Sequence, residues 1–146
     1  PPDYADAFER SLCEDPVTVI RHKPVTAVLP TATVQEVVAL MTEYNIASVV
    51  VVEDDKPIGI FSERDVLNRV VDDWPQLRRA PVEQVMTREP VVVRMTDTPA
   101  VVLNQMDQFS FRHVPIVDES GKLAGFVGAR RVIEYLQHHF EDAPGA

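Results

Sequence analysis

The heptapeptide GIFSERD, residues 59–65, decides how this 146-residue chain is interpreted, because a second version of it occurs further along the sequence. Residues 125–131 read GFVGARR. Both segments pass from a glycine through two apolar residues into the predicted start of a helix. Gly128 stands where Ser62 stands in the first copy, and Arg131 stands where Asp65 does. The repetition predicts two similar halves, of which only the first keeps this pair of polar side chains.

The similarity extends well beyond the heptapeptides. Residues 28–34 align with 93–99 at an offset of 65, and the apolar run 49–52 aligns with 114–117. One extra residue, Gly121, then changes the offset to 66, so that Gly59 falls on Gly125. A fixed period of this length indicates one supersecondary unit per repeat.

Each half predicts the element order β-α-β-β-α. In the first half, Thr33 and Glu36 form a capping-box pattern at the start of a helix whose apolar residues have helical spacing. In the second half, Pro99 occupies the first position of the corresponding helix, where its missing N–H group has no cost. The closing helices are predicted to begin near Ser62 and Gly128. Their predicted apolar positions are Val66, Leu67 and Val70 in the first half, and Val132, Ile133 and Leu136 in the second. The predicted strands are 25–29, 47–53 and 57–61 in the first half, and 91–95, 113–118 and 123–127 in the second.

These elements predict an α/β (α+β) fold in which the two repeats pack by pseudo-two-fold symmetry. A single half of about 55 residues would bury only a marginal core, so we expect the two halves to share one. The predicted boundaries are an N-terminal extension with a short helix at 1–22, the first repeat at 23–71, a connector at 72–81, the second repeat at 82–140 and a tail at 141–146.

Composition narrows the class of function. The net charge of −9, from 23 acidic and 14 basic residues, opposes binding to nucleic acid or to an anionic membrane surface. A single cysteine favours a reducing, cytoplasmic location, and no apolar run is long enough to span a bilayer. With only four histidines beside it, we expect no metal site. The chain begins with proline, which suggests a piece of a longer protein with a flanking or separate effector domain.

The doubled plan and the GIFSERD heptapeptide together resemble a tandem pair of cystathionine-β-synthase (CBS) domains, the arrangement called a Bateman module. The family signature is a glycine, a hydrophobic residue, any residue, Ser or Thr, two residues of any kind, and Asp. GIFSERD matches every defined position, whereas GFVGARR departs at two. The resemblance covers residues 16–138. It implies a non-catalytic regulatory module that binds AMP, ADP, ATP, S-adenosylmethionine or NAD between its repeats and forms a homodimer.

The resemblance also assigns candidate ligand contacts. Ser62, Arg64 and the start of the closing helix suit a phosphate, and in the family the aspartate at the position of Asp65 holds the ribose hydroxyls. Gly59 allows the ligand or the neighbouring repeat to approach the backbone closely. The predicted contacts are Gly59, Ile60, Ser62, Arg64 and Asp65 from the first repeat, and Val91, Val92, Arg112, His113 and Pro115 from the second. A weaker second site would comprise Val25, Thr26, Ala47, Ser48, Arg130 and Arg131.

Two other functions stay open on the residues alone. Ser62 and Asp65 are also the residues of an ordinary helix capping box, and in that case the chain is a ligand-free dimerisation scaffold. An enzyme acting on a nucleotide is disfavoured, because the sequence offers no acid–base pair or metal cluster for it. The preferred hypothesis is a regulatory module with an adenine nucleotide at GIFSERD and no catalytic cofactor.

Overall fold

The computed structural model describes residues 10–11, 14, 16, 26–109 and 113–141. The chain divides into two compact units. The first unit comprises Val25–Pro90 with Gly121–Leu123. The second comprises Pro1–Pro24, Val91–Ser120 and Ala124–Ala146. Each contains one β-sheet and the helices that pack on it, which confirms the predicted α+β class and the two-repeat architecture.

The first unit contains a four-stranded sheet in the order β1-β2-β3-β4. Strand β1 (Ala27–Val28) runs parallel to β2 (Ser48–Glu53), and helix α1 (Val34–Tyr44) connects them. Strand β3 (Lys56–Ser62) is antiparallel to β2. Strand β4 (Thr87–Arg88) pairs antiparallel with β3 and was not predicted. The predicted order β-α-β-β is therefore confirmed, with one additional strand at the edge of the sheet.

Local chemistry accounts for the boundaries of α1 and for the turn between β2 and β3. Thr33 and Glu36 form the predicted capping box, and Asn45 ends the helix in the left-handed conformation. Asp54 and Asp55 connect the strands with φ values of 52° and 65°, as a tight two-residue hairpin requires. The helix places its apolar stripe over the sheet. The buried core of this unit comprises Val34, Val37, Met41, Val49, Val51, Phe61, Val70, Val82, Val85 and Met86.

The closing helix of the first repeat is irregular. It starts as a short α-helix, α2 (Glu63–Asp65), widens into a π-helical segment (Val66–Val70) and tightens into a 3₁₀ turn (Val71–Asp73). It then ends as α3 (Trp74–Leu77), inside the segment predicted as a connector. The sequence predicted Leu67 on the apolar face, but its side chain is 69% exposed, whereas Val70 is fully buried. Ile133, at the equivalent position of the regular closing helix of the second repeat (Ala129–Glu141), is 62% exposed as well, so the π-helical segment does not account for the exposure of Leu67.

The second unit repeats the plan with a three-stranded sheet in the order β5-β6-β7. Strand β5 (Val93–Arg94) is parallel to β6 (His113–Val117), and β7 (Leu123–Gly128) neighbours β6. Helix α4 (Pro99–Phe109) begins at the proline that the sequence analysis placed first in it, and the closing helix α5 (Ala129–Glu141) is regular. The buried core residues are Val93, Val102, Val114, Ile116, Val127, Val132 and Tyr135.

The boundary between the two units differs from the predicted boundary between the repeats. Residues 82–90, assigned by the sequence analysis to the second repeat, lie in the first unit. In the N-terminal extension, Arg10, Ser11 and Glu14 are helical, and the buried Ser11 hydroxyl is hydrogen-bonded to the Tyr135 hydroxyl of α5. The rest of the predicted extension lies outside the described residues, except Pro16. Over the described part of the chain, no helix is long and apolar enough to cross a bilayer.

Candidate functional site

The turn between β3 and α2 contains the polar residues of the GIFSERD heptapeptide. Ser62 is the N-cap residue, with extended backbone angles of φ −128° and ψ 170°. Its hydroxyl oxygen accepts a hydrogen bond from the Asp65 backbone N–H at 3.4 Å, and the Ser62 N–H donates to Asp65 Oδ2 at 2.9 Å. These reciprocal bonds form a capping box, so Ser62 and Asp65 do stabilise the start of this helix.

Asp65 makes more contacts than a capping residue requires. Its side chain is buried, with the whole residue only 5% exposed. Oδ2 also accepts a hydrogen bond from the Ser62 hydroxyl at 3.1 Å. Oδ1 accepts one from the Thr87 hydroxyl at 3.0 Å and lies 3.8 Å from Arg69 Nε. A buried carboxylate needs such donors, because an unpaired charge in this position would be strongly destabilising.

Arg69 connects the turn to the segment that precedes β4. Its Nη1 donates to the Met86 carbonyl oxygen at 2.8 Å and to the Val85 carbonyl oxygen at 3.3 Å. The sequence analysis missed Arg69 and Thr87. The four-residue spacing of Asp65 and Arg69 is a recognisable helical ion-pair pattern and could have revealed the first. No local pattern points to Thr87, because twenty-two residues separate it from Asp65.

Gly59 is buried beneath the side chain of Met86. A Cβ atom at position 59 would lie 2.3 Å from Met86 Sδ and 2.9 Å from Met86 Cγ. The close approach that the glycine allows is therefore made by Met86. Gly59 also pairs with Arg88 across the two strands, and Ile60 pairs with Thr87. Ile60 is half-buried and Arg64 is exposed.

Three residues predicted for the weaker site lie in the first unit. Ser48 pairs with Ser62 across the sheet, and the Ala47 carbonyl oxygen accepts the backbone N–H of Glu63 at 3.0 Å. One N–H group at the start of α2 is thus already used, as is that of Asp65. The carbonyl oxygen of Thr26 accepts from the Val50 N–H at 3.1 Å. Val25, predicted with them, lies outside the described residues.

The corresponding turn of the second repeat, between β7 and α5, has different side chains. Gly128 ends β7, and Arg131 lies in the first turn of α5 with its Nη1 2.9 Å from Glu134 Oε2. Arg130, the other cation predicted for the weaker site, is exposed. The position of Asp65 is therefore taken by a cation that pairs along its own helix.

The remaining predicted residues lie in the second unit or outside the described residues. His113 is half-buried at the start of β6, with its ring centroid 5.2 Å from that of Phe126. Pro115 is buried, Val91 is half-buried and Val92 is exposed. Arg112 lies outside the described residues. The contribution of these residues to a ligand site stays a prediction. Within the described ranges, no group of three or more His, Cys, Asp or Glu side chains could hold a metal ion.

Comparison with known proteins identifies both repeats. The CBS domain model matches residues 16–72 and again residues 82–138. An uncharacterized 17.7 kDa protein of Acidianus ambivalens is 34% identical over 129 residues, which cover 82% of this chain and 72% of that protein. Other curated relatives are longer, and the match spans 54% of one and 19% of another.

Solved structures share the fold. An uncharacterized conserved protein from Pyrococcus horikoshii superposes with a TM-score of 0.74 at 31% identity, covering 86% of this chain and 94% of that one. A CBS domain protein from Pyrobaculum aerophilum, solved in complex with AMP, superposes with a TM-score of 0.75 at 24% identity, covering 88% of this chain and 99% of that one. The second likeness concerns the fold alone.

Proposed function

The chain belongs to the CBS domain family, and from this premise we propose that it is a regulatory module that binds an adenine nucleotide through the GIFSERD turn of its first repeat. The ligand class comprises AMP, ADP and ATP, with NAD and S-adenosylmethionine as further adenosyl candidates. In this proposal the module is cytoplasmic and has no catalytic role or catalytic cofactor. Binding changes the activity of a flanking domain or a separate effector, because the ligand has different affinities for two arrangements of the chain.

The buried Asp65 carboxylate is the observation that carries the proposal. A ribose has two neighbouring hydroxyl groups, and an ionised carboxylate is an acceptor suited to both. Asp65 lies in the short helix that follows β3, with the exposed Arg64 beside it in sequence, where a cation can neutralise a phosphate. The Pyrobaculum protein, which has the same fold, was solved with AMP. In the second repeat, Arg131 has no acceptor to offer a diol, so the proposal places the principal ligand at the first repeat only.

A ligand-free scaffold is the second candidate, and a specific observation favours it. The capping box at Ser62 and Asp65 is complete, and protein donors already occupy both carboxylate oxygens. A turn with only a structural role would look the same. The two candidates differ in whether any small molecule stabilises the folded chain.

Thermal unfolding with a ligand panel distinguishes these candidates. The panel comprises AMP, ADP, ATP, S-adenosylmethionine and NADH. A ligand at a hundred times its dissociation constant stabilises the folded state by about 2.7 kcal/mol, which for a chain of this size raises the midpoint by roughly 5–10 °C. We expect such a shift for at least one ligand, retained in Arg131→Ala and lost in Asp65→Ala. Because Asp65→Ala also changes the stability of the free chain, each shift is taken from that variant's own midpoint.

If no compound raises the unfolding midpoint at millimolar concentration, the ligand-binding proposal is wrong and the ligand-free scaffold is favoured. A shift that survives in Asp65→Ala but disappears in Arg131→Ala would move the ligand to the second repeat. The two variants can be compared directly because the same ligands are added to both.

We also propose that the chain forms a homodimer, as CBS pairs commonly do. Two large apolar side chains at equivalent repeat positions support the proposal. Leu67 is 69% exposed and Ile133 is 62% exposed, and the offset of 66 relates them. Sedimentation velocity over a range of protein concentrations tests this directly, and a sedimentation coefficient of a monomer at every concentration would contradict it.

A further inference from the structure

We propose that the Thr87 hydroxyl is an internal competitor for Asp65, so that a ligand diol binds only by displacing it and thereby loosens β4 from the GIFSERD turn. This inference rests on the proposed function and concerns how the same site is regulated. Thr87 is a positioning residue here, since its role is exerted through Asp65. Its hydroxyl is 3.0 Å from Asp65 Oδ1, and β4, of which it is part, is hydrogen-bonded to β3.

The acceptor capacity of the carboxylate makes displacement necessary. An ionised carboxylate has about four positions at which it accepts hydrogen bonds. Asp65 already accepts from the Ser62 N–H, the Ser62 hydroxyl and the Thr87 hydroxyl, and Arg69 Nε lies 3.8 Å from Oδ1. A ribose diol brings two more donors. Three bonds and two incoming donors exceed the capacity even if the distant Arg69 is not counted, so one protein donor must leave.

The contacts of the donors indicate which one leaves. The Ser62 N–H is fixed by the backbone, and the Ser62 hydroxyl is held on two sides, because its oxygen also accepts from the Asp65 N–H. The Thr87 hydroxyl makes one hydrogen bond within the described part of the chain, and that bond is to Asp65. A hydroxyl with one partner rotates away at the lowest cost. Thr87 is therefore the donor that a ligand displaces most readily.

Loss of this bond affects more than one side chain. The Val85 and Met86 carbonyl oxygens are held by Arg69, which itself lies beside Asp65 Oδ1. A ligand at Asp65 thus removes one attachment of residues 85–88 to the turn, the Thr87 bond, directly beside Arg69, which provides the other. These residues belong to the first unit, whose main segment ends at Pro90. Ligand occupancy at Asp65 is thereby coupled to the last segment of that unit before the chain enters the second.

The experiment compares Thr87→Val with Thr87→Ser in the full chain, using AMP and 2′,3′-dideoxyadenosine monophosphate as probes. Valine keeps the shape of threonine and removes the hydroxyl, whereas serine retains it. Without the competitor, Oδ1 is under-satisfied until a diol arrives, so we expect Thr87→Val to bind AMP about tenfold more tightly by calorimetry. Thr87→Ser should bind like the unchanged chain. The dideoxy probe should show no gain, because it lacks the diol that replaces the hydroxyl.

Hydrogen exchange of the unchanged chain provides a second measurement, which stays available if Thr87→Val does not fold. AMP should accelerate exchange of the Glu89 N–H, which donates to the Ile58 carbonyl oxygen beyond the end of β4. AMP binding that is unchanged or weaker in Thr87→Val, or slower exchange at Glu89, would overturn the inference and leave the proposed function standing. If no compound of the panel used above (AMP, ADP, ATP, S-adenosylmethionine and NADH) binds to the unchanged chain or to Thr87→Val, the proposed function is overturned, and the inference with it.

Discussion

The turns at residues 62–65 and 128–131 occupy the same place in their repeats and differ in almost everything polar. In the first, a serine and a buried aspartate form a capping box, and the aspartate receives a further bond from Thr87. In the second, a glycine ends the strand and an arginine pairs with Glu134 one turn along its own helix. Both turns nevertheless join a strand to a helix in the same order. The serine and the aspartate of the first turn are therefore not needed simply to connect a strand to a helix.

The helices that follow the two turns differ as well. After Arg131, α5 continues as a regular helix to Glu141. After Asp65, the chain enters a π-helical segment and then a 3₁₀ turn. Segments of π-helix are rare and are frequently found at functional sites. The irregular helix and the carboxylate that accepts three protein hydrogen bonds occur in the same repeat, which is the repeat that keeps the family signature.

The largest expected effect compares Asp65→Ala with Arg131→Ala. Removing the Asp65 carboxylate leaves the Ser62 N–H and the Thr87 hydroxyl, both half-buried, without their acceptor. We expect the free energy of unfolding to fall by about 2–3 kcal/mol. Arg131→Ala removes one ion pair within a helix and should cost less than about 1 kcal/mol. Urea denaturation of both variants provides the measurement. Equal losses would show that the two turns are energetically alike despite their chemistry.

The next effect concerns the glycine that begins the first heptapeptide. Gly59→Ala places a Cβ atom against the buried Met86 side chain, so we expect a loss of about 1–3 kcal/mol from overpacking. The control is the same substitution in a Met86→Ala background, where the space is open. The cost of Gly59→Ala should fall there to below about 1 kcal/mol, since contacting residues are not additive. Additive losses in urea denaturation would mean that Met86 is not what the glycine accommodates.

The smallest effect on stability is expected at the two exposed apolar positions. Leu67→Ser and Ile133→Ser should each change the free energy of unfolding, measured in dilute protein, by no more than about 0.5 kcal/mol. Val70→Ala, at a fully buried position of the same helix as Leu67, should cost about 2 kcal/mol. If the two exposed residues form the dimer surface, both serine variants also weaken self-association in sedimentation experiments. Unchanged self-association would show that Leu67 and Ile133 are exposed but are not part of a dimer surface.

The repeat, the order of its elements and the caps of α1 could be predicted because short-range patterns specify them. Thr33 and Glu36 are three residues apart, and the valine run 49–52 identifies the buried strand β2 without tertiary information. The valine run 91–93 was a poorer guide, because only Val93 is buried and β5 comprises Val93–Arg94. The π-helical turn could not be predicted, since nothing in Val66–Val70 differs from an ordinary helical pattern and the tertiary packing decides it.

The candidate site was predicted in part. The residues of the heptapeptide could be named from its motif, and their capping geometry was an explicit alternative that the structure confirms. Their tertiary partners could not be named. Thr87 reaches the turn as part of a two-residue strand, and Met86, the residue before that strand, covers Gly59. A strand of two residues is too short to leave a hydrophobic period in the sequence. Arg112, a predicted contact, falls outside the described residues, and the ligand roles of the remaining contacts stay predictions.

The grouping of residues 82–90 with the first unit limits where the gene can be divided. A fragment that stops at residue 72, where the first family match ends, would lack β4, Thr87 and Met86. Its β3 edge would be left without its neighbouring strand, and the surface of Gly59 would lose the side chain that covers it, which favours aggregation. The first repeat, ended at residue 72, is thus not a unit that can be expressed alone. A recombinant fragment or a natural domain rearrangement that keeps the first repeat intact would have to include the segment up to Pro90.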